Sequence, residues 1–208
     1  SNTVFAVRSY TEILKTTNRG NNWEIIPLNI FCYDISILNN DTMLVANSSS
    51  FDGGIYRSTN GGYNWQYIWT NGTSGNPNKI YMYDKNMGYI QDGNHSYNMR
   101  RTTNGGFNWN EISNQQFSGI QFIDSLIGWK TYAGIQKTTN GGINWTNQQL
   151  PNISNIYSTA NLYVLNKDTV WMVGARKYKS APVYKTTNGG LNWGYQIPDT
   201  SLSIYDYY

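Results

Sequence analysis

The sequence predicts an all-β chain in which one four-stranded antiparallel unit recurs around a ring. Three observations predict it. A nine-residue pattern (basic residue, Thr or Ser, Thr, Asn, any residue, Gly, any residue, Asn, Trp) occurs five times, starting at Lys15, Arg57, Arg101, Lys137 and Lys185. Its tryptophans, Trp23, Trp65, Trp109, Trp145 and Trp193, lie 42, 44, 36 and 48 residues apart, which is the period of a repeat architecture. The apolar runs between copies are short, β-branched or aromatic, and bounded by Asn, Gly and Asp, with no helical period in any long window.

Alignment of the chain on itself gives four strands per repeat. The first strand ends in Asn or Asp: Ile35 to Asn39, Ile80 to Asp84, Ile120 to Asp124 and Leu162 to Asn166. These side chains bond nearby backbone groups and tolerate positive φ, so they suit a tight turn. The second strand follows at Thr42 to Ala46, Gly88 to Gln91, Gly128 to Thr131 and Thr169 to Val173. The third leads into the pattern, as in Gly54 to Arg57 or Pro182 to Lys185, and the fourth starts at its Trp, as in Trp65 to Ile68. The pattern is therefore the hairpin between strands three and four, and Asn-Gly-Gly supplies the positive-φ positions it needs. Arg19 replaces a Gly in the first copy, so that turn is expected to differ slightly.

Ser1 leads directly into a second strand, Asn2 to Val7, then a third, Glu12 to Lys15, so this repeat lacks a first strand of its own. Leu202-Ser203-Ile204-Tyr205-Asp206 fits the first-strand column in type and register. The last segment is thus expected to complete the first repeat and close the ring, which removes exposed sheet edges. The domain reading is a single unit, 1–208, with repeats at about 1–27 plus 200–208, 28–69, 70–113, 114–149 and 150–199. Apolar layers between repeats are expected at Ile37, Met82, Phe122, Val164 and Ile204. Burial at roughly 25 cal/mol per Å2 stabilises such layers. The polar first-strand column, Ser36, Tyr81, Gln121, Tyr163 and Ser203, is placed to line a central channel.

Composition narrows the function. Charged residues are 13% and aromatics 15% of 208 residues, so the surface is built from Asn, Thr, Ser and Tyr, which favours neutral hydrogen-bonding partners such as sugars or peptides. The net charge is +3 and the densest basic run is Arg176-Lys177-Tyr178-Lys179, which makes no case for nucleic acid. No run approaches the ~20 apolar residues of a membrane span. The single cysteine, Cys32, excludes an internal disulfide and reads as a small buried hydrophobe. His95 is the only histidine, which leaves no multi-His metal site or His triad, and no cofactor is expected. No secretory signal stands at Ser1, so a mature protein or an excised domain is expected.

Ser/Thr-x-Asn-x-Gly-x-x-Trp resembles the Asp-box, or bacterial neuraminidase repeat, with Asn in the usual Asp place. The longer pattern, Phe122 to Trp129 followed by Lys137-Thr-Thr-Asn-Gly-Gly, is similar to the photosystem II assembly factor-like repeats of bacteria. The resemblance covers nearly the whole chain and implies a five-bladed β-propeller of four-stranded antiparallel blades, closed by the C-terminal strand completing the first blade. The assembly factor itself is usually described with more blades, so the match is to the repeat. It also implies a secreted or cell-surface location, within a larger multidomain protein. In this family the box is structural, which assigns Asn18, Trp23, Asn60, Trp65, Asn104, Trp109, Asn140, Trp145, Asn188 and Trp193 to a structural set. The basic residue opening each box is expected to be solvated or stacked on Trp.

Sialidases share the box, but no catalytic set emerges. Arginines other than those that open a box are few (Arg8, Arg19, Arg100 and Arg176), and Asp84, Asp124 and Asp206 occupy one turn column instead of forming a glycosidase pair. What remains is a binding face made of loops that differ between repeats. The candidate ligand-binding residues there are Phe51, Trp69, His95, Tyr97, Tyr132, Arg176 and Tyr178, aromatics set among Asn and Asp. The first reading is a non-catalytic module that recognises a protein or peptide. The alternative is a carbohydrate-binding lectin, but a multivalent lectin would repeat its binding residues in every blade, and no such set recurs outside the boxes and strands. An enzyme ranks third.

Overall fold

Every described run read as a strand is extended, and no described residue is helical. The computed structural model describes residues 2–49, 53–69, 76–93, 98–113, 116–151, 158–175 and 183–196. Among them, nineteen strands form five antiparallel sheets. The first sheet holds β1 (Val4–Ser9), β2 (Glu12–Thr16) and β3 (Glu24–Pro27). The second holds β4 (Asp34–Ile37), β5 (Met43–Asn47), β6 (Gly54–Ser58) and β7 (Gln66–Tyr67). The third holds β8 (Pro77–Met82), β9 (Gly88–Asp92), β10 (Met99–Thr102) and β11 (Asn110–Ser113). The fourth holds β12 (Gly119–Phe122), β13 (Gly128–Thr131), β14 (Ile135–Thr138) and β15 (Thr146–Asn147). The fifth holds β16 (Ser158–Val164), β17 (Val170–Ala175), β18 (Val183–Thr186) and β19 (Gly194–Tyr195). Strands pair in chain order, so each sheet is a meander. The chain divides into two compact units, Ser1–Gln115 with the first three sheets and Gln116–Tyr208 with the last two.

The turn residues behave as their chemistry dictates. Asn39 Oδ1 accepts the Asp41 and Thr42 amides at 2.9 and 2.8 Å. Asp84 Oδ1 accepts those of Asn86 and Met87, and Asp124 Oδ1 those of Leu126 and Ile127, all at 2.7 Å. Asn166 Oδ1 does the same for Asp168 and Thr169 at 2.9 and 2.8 Å. Asp84 and Asp124 are thus engaged as turn formers; Asp206 lies outside the described residues.

The box is one network built five times. The hydroxyl of Thr16, Ser58, Thr102, Thr138 or Thr186 donates to Oδ1 of the Asn two residues on, at 2.9 to 3.0 Å. It accepts the amide of the box's conserved-position glycine (Gly20, Gly62, Gly106, Gly142, Gly190) at 2.9 to 3.0 Å. The same Asn oxygen accepts the amide of the Asn before the Trp, again at 2.9 to 3.0 Å. Gly105 and Gly106, at φ 75° and 90°, show the backbone hand this requires. Arg19 was expected to alter the first turn, but it adopts the same hand at φ 60°. Its amide bonds the Asn2 carbonyl at 3.0 Å, as the Gly61 amide bonds that of Asp41 at 2.9 Å, and its Nε donates to Asn2 Oδ1 at 2.8 Å. Only the acceptor oxygen of the box Asn is used, so Asn104→Asp is expected to be nearly silent. Asn104→Ala removes the acceptor of the Thr102 hydroxyl and the Asn108 amide and is expected to cost about 1–3 kcal/mol in urea unfolding. Equal effects of the two substitutions would refute this account.

Apolar layers lie between neighbouring sheets within each unit. Ile13, Ile26, Met43 and Val45 pack between the first and second sheets. Leu44, Ile55, Ile80, Met82 and Trp109 pack between the second and third, and Trp129, Val164, Val170 and Tyr184 between the fourth and fifth. Met82, Phe122 and Val164 are buried as expected, whereas Ile37 is 39% exposed. Met82 and Val164 pack against the sheet before their own, and the sheet before Ile37 has only three described strands, so that position lacks its cover. Ile204 lies outside the described residues. Two members of the polar column tie sheets together: Ser36 Oγ accepts the Met82 amide and Gln121 Oε1 the Val164 amide, both at 2.8 Å. Tyr163 is exposed against Trp171, with ring centroids 6.0 Å apart, and Ser203 lies outside the described residues.

Candidate functional site

Each complete sheet has two ends. One carries the turn between its first two strands and the box hairpin; the other carries the loop into its first strand and the loop joining strands two and three. At the box end the Thr or Ser hydroxyl, the Asn oxygen and the turn amides bond one another. The opening basics add to this. Lys15 Nζ lies 5.2 Å from the Tyr63 ring and Arg57 Cζ 5.7 Å from that of Phe107, each in the box of the following sheet. Lys137 Nζ sits 4.9 Å from the Trp129 ring and donates to the Gly189 carbonyl at 2.8 Å. Lys185 Nζ lies 4.9 Å from the Trp171 ring, and Arg101 Nη2 is 3.5 Å from Met87 Sδ. Lys15, Arg57, Lys137 and Lys185 thus lie over aromatic faces, where the ring quadrupole attracts them, and Arg101 lies against a sulfur, so these cations are engaged within the structure.

The opposite end of the second and third sheets gathers unlike groups. Asp92, buried at the end of β9, takes the Asn76 amide on Oδ1 at 3.2 Å and stands 3.4 Å from Arg100 Nε. Arg100 Nη2 is 3.8 Å from Glu111, and the guanidinium lies 6.0 Å from the Trp69 ring. The Asn76 carbonyl accepts the Gly93 amide at 2.8 Å and the Ser48 hydroxyl at 3.4 Å. Loops of two sheets are thereby joined beside one ion pair, its carboxylate buried and its guanidinium half-buried. Asp34, at the start of β4, bonds the Ile80 amide through Oδ2 at 2.9 Å and its own neighbour Ile35 through Oδ1 at 3.1 Å. Burial raises its pKa despite these amides. Cys32 is buried as expected, and burial, then the Asp34 charge, pushes its thiol to about 12.

Two of the seven candidate residues fall within the described residues. Tyr132 is exposed, at a tight turn closed by its amide on the Gly134 carbonyl at 3.1 Å, in the second unit. Trp69 corrects the expectation of an exposed aromatic: it is 6% exposed and belongs to the layer between the second and third sheets. Its chain position just after β7 lets the large ring fill the space above Ile55 and Ile80, where burial outweighs solvent contact. Phe51, His95, Tyr97, Arg176 and Tyr178 lie outside the described residues. Sequence reasoning missed Asp92 and Arg100. The signal was there in the columns, since Arg100 stands where the other sheets have Leu14, Tyr56, Gln136 and Tyr184.

No protein-family model matches the chain, and no curated protein is similar to it. Solved structures are. The chain superposes on an ancestral GH74 enzyme with TM-score 0.72 and 18% identity, over 94% of this chain and 29% of that one. A GH74 xyloglucanase from Xanthomonas campestris gives TM-score 0.72 and 13% identity, over 95% and 36%. YCF48 bound to D1 peptide gives TM-score 0.55 and 14% identity, over 96% and 80%. The chain spans about a third of the length of the GH74 enzymes, between 29% and 36%. These are propeller structures, and at such identities the likeness is one of fold alone.

Proposed function

We propose that this chain is a non-catalytic β-propeller module, its five sheets serving as the blades of one closed ring, that binds a protein or peptide through the loops opposite the boxes. The carrying observation is that the box end bonds to itself in the same way five times, which leaves the unlike loops as the place where selectivity resides. Asp92, Arg100 and Glu111 then hold the loops of the second and third sheets in place for a partner. Two further points support the reading. The repeated carboxylates Asp84 and Asp124 are committed to turn amides, and one structure of the same fold is bound to a peptide. A secreted or cell-surface setting within a larger protein belongs to the same proposal and rests on the resemblance of the repeats.

Parallel peptide and glycan arrays probed with the intact chain test this. Selective peptide binding is expected, lost when residues 94–97 are shortened to a two-residue turn and unchanged by Leu191→Ser at an exposed position of the box end. Binding confined to glycans would replace the reading with a lectin.

A further inference from the structure

Where the first sheet meets the second, three aromatic side chains face solvent on the side opposite the boxes. Tyr10 lies in the hairpin between β1 and β2, and Phe31 and Tyr33 lie in the loop that leads into β4. They are 60%, 49% and 48% exposed, while Leu28 and Cys32 of the same loop are buried. The loop gives its aliphatic and thiol side chains to the core and turns its aromatics outward, and a grouped apolar surface of this kind marks a place of contact. Its backbone is pinned. The Thr11 carbonyl accepts the Leu28 amide at 2.7 Å, the Tyr10 carbonyl the Cys32 amide at 2.6 Å, and the Ala46 carbonyl the Tyr33 amide at 3.0 Å. The Tyr10 and Tyr33 rings stand with centroids 5.2 Å apart, tilted by 41°. Tyr10 comes three residues before Ile13, as Tyr132 comes three before Ile135, so it shares the hairpin column of the candidate Tyr132.

We infer that Tyr10, Phe31 and Tyr33 form a docking site for a proline-rich peptide segment. This deepens the proposed function and rests on its assignment of binding to the loops opposite the boxes. The polar groups around the rings select the ligand. The Tyr10 and Thr11 carbonyls are taken by loop amides. The Ser9 and Thr11 hydroxyls engage each other at 3.5 Å, and Arg8 is 3.6 Å from Glu12. Asp34, next to Tyr33, is committed to the Ile35 and Ile80 amides. Among the described residues, the Tyr10 and Tyr33 hydroxyls have no hydrogen-bond partner. Asn29, exposed in the same loop, adds a carboxamide that can donate beside them. The site therefore offers flat apolar faces and donors, while the carboxylates of these loops are engaged. A polyproline II segment is the complement. Its pyrrolidine rings pack on aromatic faces, its carbonyls are free to accept because the helix makes no internal hydrogen bonds, and proline brings no N–H in need of an acceptor. A sugar instead brings a donor on every hydroxyl and asks for acceptors around the ring. A preformed helix on a pinned loop also loses little freedom on docking, so a small contact can still bind.

The test is a fluorescein-labelled proline decamer titrated with the intact chain and followed by fluorescence anisotropy, with a glycine–serine decamer as control. Saturable binding of the proline decamer alone is expected. It should weaken at least tenfold in Tyr10→Ala and in Tyr33→Ala, and severalfold in the double variant Tyr10→Phe with Tyr33→Phe, which keeps the rings and removes the donors. Leu191→Ser, at the box end, should bind as the parent does. Thermal melting of each variant shows whether these exposed substitutions leave the fold intact. Equal binding of both decamers, no binding, or binding that survives both alanine substitutions overturns the inference. Full binding by the phenylalanine pair does so too, because the donors would then select nothing. Cellohexaose bound through the same tyrosines in place of the decamer would hand the site to a sugar. The proposed function is judged apart: a chain that selects proline-free peptides through residues 94–97 and ignores the decamer keeps that function and loses this site.

Discussion

A chain ending at Pro198 is expected to lose cooperative thermal unfolding and to aggregate on expression. On the closed-ring proposal this segment completes the first sheet, and a handful of ladder hydrogen bonds would go with it, each worth about 1 kcal/mol net. It would also bury Leu202 and Ile204, each worth about 1.5–3 kcal/mol. Together these approach the whole of the roughly 5–15 kcal/mol that holds an ordinary domain folded. The loss also has a kinetic side, because an interior-type strand with exposed Val4 and Val7 becomes a template for pairing with other chains. Size-exclusion chromatography and circular-dichroism melting of the shortened chain measure both effects. A soluble monomer that melts cooperatively near the parental midpoint would sink the closed-ring reading.

What the sequence made legible follows from what is local. The box was readable because every bond in it spans two to four residues, so Thr102, Asn104, Gly106 and Asn108 fix one another wherever the pattern occurs. Strand order and register followed from the same repetition, since each sheet pairs in chain order. Trp69 was misjudged because its burial is set by β9 and β10, which pack on it from another repeat, and no local rule reports that. The Asp92–Arg100 pair spans two strands of the third sheet. It was hidden because the alignment was searched for what recurs, while a binding face consists of what does not. Ile37 shows the converse error: the column predicts burial, but burial also needs a neighbour to cover the position, and among the described residues the preceding sheet has three strands.

Lys130→Met is expected to stabilise the chain at neutral pH and to flatten its response to alkali. Lys130 is 1% exposed and occupies the register of Val45, Ile90 and Met172, an otherwise apolar column. Its amine donates to the Gln116 carbonyl at 3.0 Å and lies 5.3 Å from the Trp145 ring, and neither neighbour carries a countercharge. Burial accordingly lowers its pKa from 10.5 to about 8. Below about pH 8 both folded and unfolded chains hold the proton, and the folded chain bears the full cost of a buried cation. Between about 8 and 10.5 the unfolded chain keeps a proton that the folded chain has released, so stability rises with pH across that window. Methionine removes the charge, at the loss of one hydrogen bond to Gln116. The gain at pH 7 is therefore bounded by the linkage value, on the order of 3 kcal/mol, and shrinks toward pH 10. Urea unfolding of both chains at several pH values measures the gap. A gap that stays constant from pH 7 to 10 would mean that the amine titrates normally. The lysine would then serve as a fully charged tether for the loop leading into β12, at the end of the fourth sheet where selectivity is proposed to reside.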